Sequence, residues 1–191
     1  MPEIATRRPP SVASTDWLEP LPPARRWVLH GTAEARSRIA PVWGVGCSEE
    51  PCRAMVSGTR AALWMGPDEH LLLDLAPADG PSSESQPALA QHLEQALDGT
   101  PHALVDVSHR QFAIEVRGPH AATILNGACP LDLDPRAFPV GMCTRTVLAK
   151  ADIVLWRTRP DAFHLEAWRS FADYVCGLLG EIAREFHRGP A

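Results

Sequence analysis

The sequence predicts an α+β fold in which two similar halves each contain antiparallel strands with helices on one face. Short segments with alternating apolar and polar residues indicate strands, and turn residues separate them. Two further segments carry apolar residues at helical spacing, and each follows a pair of strands. The third observation is a self-similarity: residues 63–68 and 155–161 each hold a Trp followed by a Pro-Asp turn, about half the chain length apart.

The composition is that of a globular protein. With 191 residues, 45% of them hydrophobic, the chain can bury a core without help from disulfides or a metal. Its net charge of -5 lacks the basic footprint of a nucleic-acid-binding protein. No apolar run is long enough for a membrane span or a signal peptide. We therefore expect a cytoplasmic protein with neither nucleic acid nor membrane as a partner.

The N-terminal 24 residues are predicted to form a proline-rich arm outside the α+β domain, which covers residues 25–191. The arm holds six prolines and no apolar period, which is typical of a disordered tail or of an extended strap on another surface. If it is a strap, Trp17 and Leu18 are its expected anchors. The self-similarity divides the domain into possible repeats at residues 25–100 and 101–191.

The first half is predicted to contain three strands and two helices. Residues 26–30 form a strand with Trp27 and Leu29 on one face, and Thr32 caps a helix that continues to Ile39. A glycine-containing break then follows at residues 44–46. Residues 61–65 and 70–75 form a hairpin around the turn at residues 66–69. A surface loop covers residues 76–88, and Leu89, Leu93 and Leu97 mark the second helix.

Within residues 105–125 the alternation of core-facing and outward-facing residues changes phase. Val105 and Val107 are expected to face the core before residue 108, whereas Phe112, Ile114 and Val116 do so after it. A strand cannot switch faces without a slip, so residues 108–110 are predicted to be a bulge or a tight connection, whose backbone the side chains of Asp106, Ser108 and Arg110 satisfy. Gly118-Pro119 then opens a helix that ends at Gly127 and buries the following residues: Ala121, Ala122, Ile124 and Leu125.

The second half is predicted to contain an irregular segment at residues 129–141, three strands and a final helix. Residues 144–150 and 152–157 are strands, and the second is apolar on both faces, as in the middle of a sheet. In the third strand, Phe163, Leu165 and Ala167 alternate with His164 and Glu166, which predicts one solvent-exposed face. Ser170 and Asp173 resemble a capping box at the start of the final helix.

No active site is evident from the residues alone. The sequence has no glycine-rich phosphate loop, and its histidines and its five cysteines lack metal-ligand spacing, so we expect free thiols. Ser108 and His109 are neighbours, which is the wrong geometry for a nucleophile and its base. Asp132 and Asp134 could form an acid–base pair or bind a cation, but their proline-flanked context favours solvated turn carboxylates.

The six tryptophans of the chain could fill the core or lie in a partner interface, where Trp is enriched. Composition does not decide between these interpretations. The candidates for interface contacts are Trp17, Leu18, Trp43 and Trp168.

Several blocks of the sequence resemble known families. Residues 105–110 (Val-Asp-Val-Ser-His-Arg), followed by residues 114–121, resemble the start of the glycine-cleavage T-protein (aminomethyltransferase) fold. The resemblance to gamma subunits of heterotetrameric sarcosine oxidase is closer. It extends over the blocks at residues 63–69, 129–133, 138–146 and 155–157, and it covers roughly residues 26–179.

This resemblance implies a non-catalytic role in an oxidoreductase complex. Such a complex demethylates sarcosine to glycine with oxygen, and it yields hydrogen peroxide and 5,10-methylenetetrahydrofolate, or formaldehyde when folate is absent. The implied partners are the alpha, beta and delta subunits, chiefly alpha. FAD, FMN, NAD, zinc and the tetrahydrofolate site are implied to belong to those other subunits, with no cofactor in this chain.

The T-protein likeness raises the question of a folate site. In that family an aspartate pair opens a strand after a Gly-Gly turn. Here residues 150–154 lack the glycines, and Ala151 stands where the first aspartate is expected. We therefore assign no catalytic residue and keep Asp152 only as a candidate polar contact to a cofactor. The alternatives are a free-standing folate-dependent one-carbon transferase and a folate-sensing or scaffold protein.

Overall fold

The computed structural model describes residues 14–76 and 86–187, in which groups of two or three strands are each followed by a helix. The strands are β1 (Leu18–Pro20), β2 (Arg25–Gly31), β3 (Ala54–Ser57), β4 (Arg60–Gly66), β5 (Glu69–Asp74), β6 (His102–Asp106), β7 (Gln111–Arg117), β8 (Cys143–Leu148), β9 (Ala151–Arg159) and β10 (Ala162–Trp168). The helices are α1 (Ala33–Trp43), α2 (Gln86–Leu97), α3 (Ala121–Asn126) and α4 (Ala172–His187). Residues 1–13 of the predicted arm and residues 77–85 of the predicted loop lie outside the described residues.

The strands form two antiparallel sheets with the same internal arrangement. Sheet 1 has the order β3-β4-β5-β2-β6, and sheet 2 has the order β8-β9-β10-β7-β1. The fifth position is filled in sheet 1 by β6, which follows α2, and in sheet 2 by β1, which comes from the N-terminal segment. The predicted fold class, with two similar halves and helices on one face of each, is therefore confirmed. The exact repeat boundaries stay a prediction.

The two sheets pack against each other through their inner faces. Apolar side chains from both sheets meet there, among them Leu63 and Leu71 of sheet 1 and Val154 and Trp156 of sheet 2. The helices cover the outer faces, with α1 and α2 on sheet 1 and α3 and α4 on sheet 2. The result is a helix–sheet–sheet–helix arrangement with three apolar layers.

This packing overturns the prediction of a solvent-exposed face on the strand β10. His164 is 3% exposed and Glu166 is fully buried. Phe163 and Leu165 face the helices as predicted, but the opposite face of the strand lies against sheet 1 instead of water. The alternation of polar and apolar residues correctly predicted which side chains share a face of β10. The prediction that water covers the face with His164 and Glu166 was wrong.

The phase change in the middle of the chain is a tight connection between the two sheets. The strand β6 belongs to sheet 1 and β7 to sheet 2, and residues 107–110 join them. The backbone N–H of Ser108 donates to Asp106 Oδ1 at 2.8 Å, and Ser108 Oγ accepts from the backbone N–H of Arg26 at 2.9 Å. Val107 is buried as predicted. Val105 is not, because β6 is an edge strand, and its side chain is 52% exposed.

Local signals located the helix ends well, with two corrections. Thr32 accepts from the backbone N–H of Ala35 and caps α1, but the helix continues past Ile39 to Trp43 and ends at Gly44, which has a φ of +81°. The predicted capping box is wrong, because Ser170 lies inside a short 3-10 turn before α4 and no side chain caps that turn. Among the described residues, no helix combines the length and the apolar character that a membrane crossing requires.

Candidate functional site

A cavity of about 270 Å³ lies between the inner faces of the two sheets. Sheet 1 contributes apolar side chains to its wall: Val28, Met65 and Leu71. Sheet 2 and the chain on either side of it contribute most of the polar ones: Arg110, Gln111, Arg145, Asp152, Glu166 and Trp168. The cavity therefore has an apolar wall on sheet 1 facing a mixed wall on sheet 2, where these polar groups lie beside Ile153, Val154 and Ala167.

The strand register brings these polar groups together from distant parts of the sequence. Trp168 of β10 pairs with Gln111 of β7, and its neighbour Ala167 pairs with Ile153 of β9. One step further along this register, Asp152 lies directly opposite Trp168. The indole of Trp168 is 44% exposed and Asp152 is also exposed, so this end of the cavity opens to solvent.

Two arginines flank the opening of the cavity. The Arg110 guanidinium lies 5.0 Å from the centroid of the Trp168 ring, a cation–π arrangement. Arg145 is hydrogen-bonded to Glu69 at the start of β5, which links the two sheets. That hydrogen bond holds the pKa of Glu69 below its usual value.

Two buried polar atoms in this region have no hydrogen-bond partner, namely Oε1 of Gln111 and Nε of Arg169. Gln111 pairs with Trp168, and the backbone N–H of Arg169 donates to the carbonyl of Arg110. Both atoms therefore belong to the segments that carry the exposed Trp168 and Arg110. Buried polar atoms without partners are uncommon in folded proteins, so this pair requires an explanation.

Deeper between the sheets, Glu166 has a hydrogen-bond partner on each of its carboxylate oxygens. Oε2 accepts from Nε of Arg26 on β2 at 2.7 Å, and Oε1 accepts from Nε2 of His164 at 2.8 Å. Burial alone would raise the pKa of Glu166, but the His164 hydrogen bond and the Arg26 charge outweigh it, so the pKa lies below its usual value. Glu166 is thus held as an anion that ties the sheets together, with neither oxygen free to accept a proton from a substrate.

The predicted candidate Asp152 does line the cavity. The neighbouring Ala151, which occupies the place of the aspartate expected in T-proteins, is fully buried in the core on the helix side of sheet 2. The position therefore offers a methyl group that points away from the cavity. Asp152 is left as an exposed carboxylate at the opening.

The four predicted interface residues divide into two groups. Trp168 is exposed beside the cavity, and Trp17 is half-buried beside β1. The expectation for the other two is corrected, because Leu18 is 3% exposed in the core of sheet 2 and Trp43 is fully buried with its Nε1 donating to the Ala61 carbonyl. These two side chains stabilise the chain itself and present no surface to a partner.

The remaining candidates for chemistry have structural roles. Asp132 Oδ1 accepts from the backbone N–H of Asp134, whose own Oδ1 accepts from the backbone and side chain of Arg136, so both are turn carboxylates. The Arg136 hydrogen bonds lower the pKa of Asp134 to about 2. No group of three metal-binding side chains occurs within the ranges that the structure describes.

The cysteines are free, as expected, and three of them are inert as nucleophiles. Burial raises the pKa of the Cys47 and Cys176 thiols to about 11 and that of Cys143 to about 12. These three thiols are therefore protonated at neutral pH, whereas the reactive form of cysteine is the thiolate.

Sequence reasoning did not find Arg26, Glu166, Arg110 or Gln111 as members of one region. The available signal was the presence of charged residues inside otherwise apolar strands, Arg26 before Trp27 and Glu166 between Leu165 and Ala167. A charge in such a position is either exposed or paired, and the pairing partner lies 140 residues away.

Comparison with known proteins identifies the relatives of the chain. The model of the "Sarcosine oxidase, gamma subunit family" matches residues 44–185. The sarcosine oxidase subunit gamma of Corynebacterium sp. (strain U-96) is 37% identical over 131 residues, which are 69% of this chain and 59% of the relative. The chain thus spans less than two thirds of that relative's length.

Two solved structures share the fold. The heterotetrameric sarcosine oxidase from Corynebacterium sp. U-96, in complex with pyrrole 2-carboxylate, contains a chain that matches with a TM-score of 0.80 and 28% identity, over 91% of this chain and 86% of that one. The glycine cleavage system aminomethyltransferase T from Bartonella henselae matches with a TM-score of 0.61 and 13% identity, over 85% of this chain and 44% of that one. This second match is a likeness of fold alone. With a family model that covers most of its length, the chain belongs to the sarcosine oxidase gamma subunit family.

Proposed function

We propose that this chain is a non-catalytic subunit of a heterotetrameric sarcosine oxidase. The complex would oxidatively demethylate sarcosine to glycine with O2 and release hydrogen peroxide together with 5,10-methylenetetrahydrofolate or formaldehyde. The observation that carries the proposal is the likeness over 91% of the chain to a polypeptide of such an assembled oxidase. The gamma subunit family match supports the same role.

The cavity supports a non-catalytic role. Proton transfer to or from a substrate amine requires an acid or base within hydrogen-bonding reach. Both oxygens of Glu166 are already engaged, and Ala151 supplies no carboxylate. The remaining carboxylate, Asp152, is exposed at the opening of the cavity and is not enclosed around a substrate.

The partners in this proposal are the alpha, beta and delta subunits, with the main contact to alpha, in the cytoplasm. FAD, FMN, NAD and zinc, together with the tetrahydrofolate site, would lie on those subunits. The chain would act by stabilising the assembly and holding the folate-side domain in place.

Reconstitution tests this function. The chain is co-expressed with the three other subunits, and the complex is isolated through a tag on this chain. We expect a fixed stoichiometry, sarcosine-dependent release of hydrogen peroxide, and a lower yield or thermal stability of the complex when this chain is omitted. An assembly of full yield, stability and activity that forms without this chain would contradict the proposal.

The alternative, a free-standing folate-dependent one-carbon transferase, is tested on the chain alone. Titration calorimetry with tetrahydrofolate should give no saturable heat. In the complex, Asp152→Ala should leave the rate of peroxide release within about twofold, as expected for a group that makes no contact in the transition state. Saturable folate binding by the isolated chain that Asp152→Ala weakens would instead support the transferase.

A further inference from the structure

We infer that Cys52 and Cys143 form a disulfide when the chain meets hydrogen peroxide, and that this bond cross-links the two sheets. Cys52 lies just before β3 of sheet 1, and Cys143 is the first residue of β8 in sheet 2. Both thiols are free in this structure. The inference rests on the proposed function for one point alone, the source of the oxidant, because the proposed oxidase releases hydrogen peroxide.

The backbone holds the two cysteines opposite each other. An isolated antiparallel bridge between Arg53 and Met142 joins the sheets at this corner. Directly beside the bridge, the backbone N–H of Cys143 donates to the carbonyl of Cys52 at 2.8 Å. In an antiparallel pair the next residues on either side of a bridge are again opposite each other, and their side chains are neighbours. The register therefore pairs Cys52 with Cys143.

The length of that hydrogen bond limits the separation of the two Cα atoms. Standard backbone dimensions place a carbonyl oxygen about 2.4 Å from its own Cα and a backbone nitrogen about 1.5 Å from its own Cα. With 2.8 Å between oxygen and nitrogen, the Cα atoms of Cys52 and Cys143 are at most about 6.7 Å apart. Disulfides span Cα separations of about 4.4–6.8 Å, so the pair is close enough to be bridged.

The different exposure of the two thiols sets the order of the steps. Cys52 is half-buried and within reach of a small oxidant, whereas Cys143 is fully buried. Burial raises the pKa of the Cys143 thiol to about 12, so Cys143 does not itself react with peroxide. The charge of Cys52 adds to the raised pKa of Cys143, which places the two sulfur atoms within electrostatic range of each other. Cys52 is therefore the thiol that peroxide oxidises first.

The reaction balances with hydrogen peroxide as the oxidant. The Cys52 thiolate attacks one peroxide oxygen, the O–O bond breaks, and a sulfenic acid and one water are formed. The sulfur of Cys143 then attacks the Cys52 sulfur, and the departing hydroxyl leaves with the Cys143 proton as a second water. Two thiols lose two electrons, and one molecule of peroxide gains them.

Proximity offsets the low reactivity of Cys143 in the second step. A thiol with a pKa of about 12 is ionised in about one molecule in 10⁵ at pH 7. Groups held in a reactive geometry reach effective molarities of about 10⁵ M or more, which compensates for so small a fraction. The side chain must first leave the carbonyl of Trp64, to which Cys143 Sγ donates at 3.7 Å. A thiol is a weak donor, so this contact is readily given up.

The test uses the full chain, first reduced and then treated with a small molar excess of hydrogen peroxide. Alkylation of the remaining thiols and peptide mass spectrometry should show one disulfide, between Cys52 and Cys143, with the other three cysteines still free. The disulfide closes a loop of about half the chain. The melting temperature should therefore rise by roughly 5–15 °C and fall back when dithiothreitol is added.

Single variants separate the roles of the two thiols. In Cys143→Ala the reaction should stop at the sulfenic acid of Cys52, which dimedone captures, and the rise in melting temperature should be lost. Cys52→Ser should lose both the dimedone adduct and the cross-link. The controls are Cys176→Ser on α4 and Cys47→Ser, the cysteine nearest to Cys52 in sequence, and both should form the cross-link as the wild type does.

A second experiment keeps this inference separate from the proposed function. The complex, co-purified with its other subunits, turns over sarcosine with and without catalase, and the cross-link should accumulate only without catalase. A complex that fails to assemble or to release peroxide contradicts the proposed function, and the experiment with added peroxide then decides the inference by itself.

Three results would overturn the inference. The first is a peroxide-treated chain in which Cys52 and Cys143 both stay reduced. The second is a disulfide that joins Cys52 to Cys47 or to a second copy of the chain. The third is a complex that releases peroxide during turnover and keeps both thiols reduced.

Discussion

The buried contact between Arg26 and Glu166 offers the sharpest test of the two-sheet packing. The Arg26 side chain is 2% exposed; its Nε donates to Glu166 Oε2 at 2.7 Å, and a second nitrogen donates to the Ala24 carbonyl at 2.8 Å. Arg26→Met removes the guanidinium and leaves a buried carboxylate with His164 as its remaining side-chain partner. Removing one member of a buried pair typically costs about 3–5 kcal/mol, a large part of the roughly 5–15 kcal/mol by which a domain is stable.

The assay is urea denaturation of the full chain, with the free energy of unfolding as the measured quantity. Arg184→Met is the matched control, because Arg184 pairs with Glu181 at 2.9 Å on the surface, where both side chains are more than 60% exposed. That change should cost less than about 1 kcal/mol. The double variant Arg26→Met with Glu166→Leu should be more stable than Arg26→Met alone, since it leaves no unpaired buried charge.

The same contact predicts a pH dependence. The pKa of Glu166 is lower in the folded chain than its ordinary value of 4.5, because the His164 hydrogen bond and the Arg26 charge outweigh the effect of burial. A carboxyl whose pKa is lowered by folding stabilises the protein at pH values above its unfolded pKa, and this stabilisation is lost as the pH falls through the folded pKa. Glu166→Gln should therefore lose less stability than the wild type when the pH is lowered from 5.

Two results would refute the reasoning. One is an Arg26→Met variant that loses no more stability than Arg184→Met. The other is an acid-induced loss of stability that is identical in Glu166→Gln and the wild type. Either result would mean that the two sheets do not meet through this contact.

Three further predictions concern helix packing, helix capping and a buried histidine. Gly127→Ala should lower the free energy of unfolding by about 1–3 kcal/mol, because its Cβ would lie 2.8 Å from Ile182 Cγ2. The added change Ile182→Ala should relieve that clash. Gly177→Ala in α4, where nothing lies within 4 Å of the added Cβ, is the control and should raise the free energy of unfolding by about 0.5–1 kcal/mol. Thr32→Ala should cost about 0.5–2 kcal/mol in the same urea assay through loss of the cap on α1. Burial lowers the pKa of His70, so stability should fall as the pH drops below the ordinary value of 6.5 toward the folded pKa, and a thermal melting series from pH 7 to pH 5 should show a shallower decline for His70→Gln.

Sequence signals that depend on neighbouring residues predicted the local structure of the chain well. The Thr32 cap, the turn at residues 66–69 and the phase change at residues 108–110 depend on groups within a few residues of one another. The helical spacing of Leu89, Leu93 and Leu97 likewise predicted three fully buried side chains. The information for these features lies in the segment itself.

The self-similarity between residues 63–68 and 155–161 shows what local sequence signals do not predict, namely the environment of a side chain. Trp64 and Trp156 occupy corresponding strands, β4 and β9, and the two sheets do share one strand order. The side chains nevertheless lie on opposite faces: Trp64 shares its face with Ala62 on the helix side, and Trp156 packs between the sheets. A shift of one residue reverses the face of every side chain in a strand, so matching motifs did not guarantee matching environments.

The sequence by itself determined the α+β class, the resemblance to the gamma subunit family and most helix and strand positions, because periodicity, capping and turn chemistry are encoded locally. Only the tertiary structure decided that the polar face of β10 is buried, that β1 completes sheet 2, and that Trp168, Arg110 and Asp152 surround one opening. Each of these depends on contacts between residues far apart in the chain, such as Arg26 with Glu166. Burial is a property of what lies opposite a residue, and the residue's neighbours in sequence do not specify it.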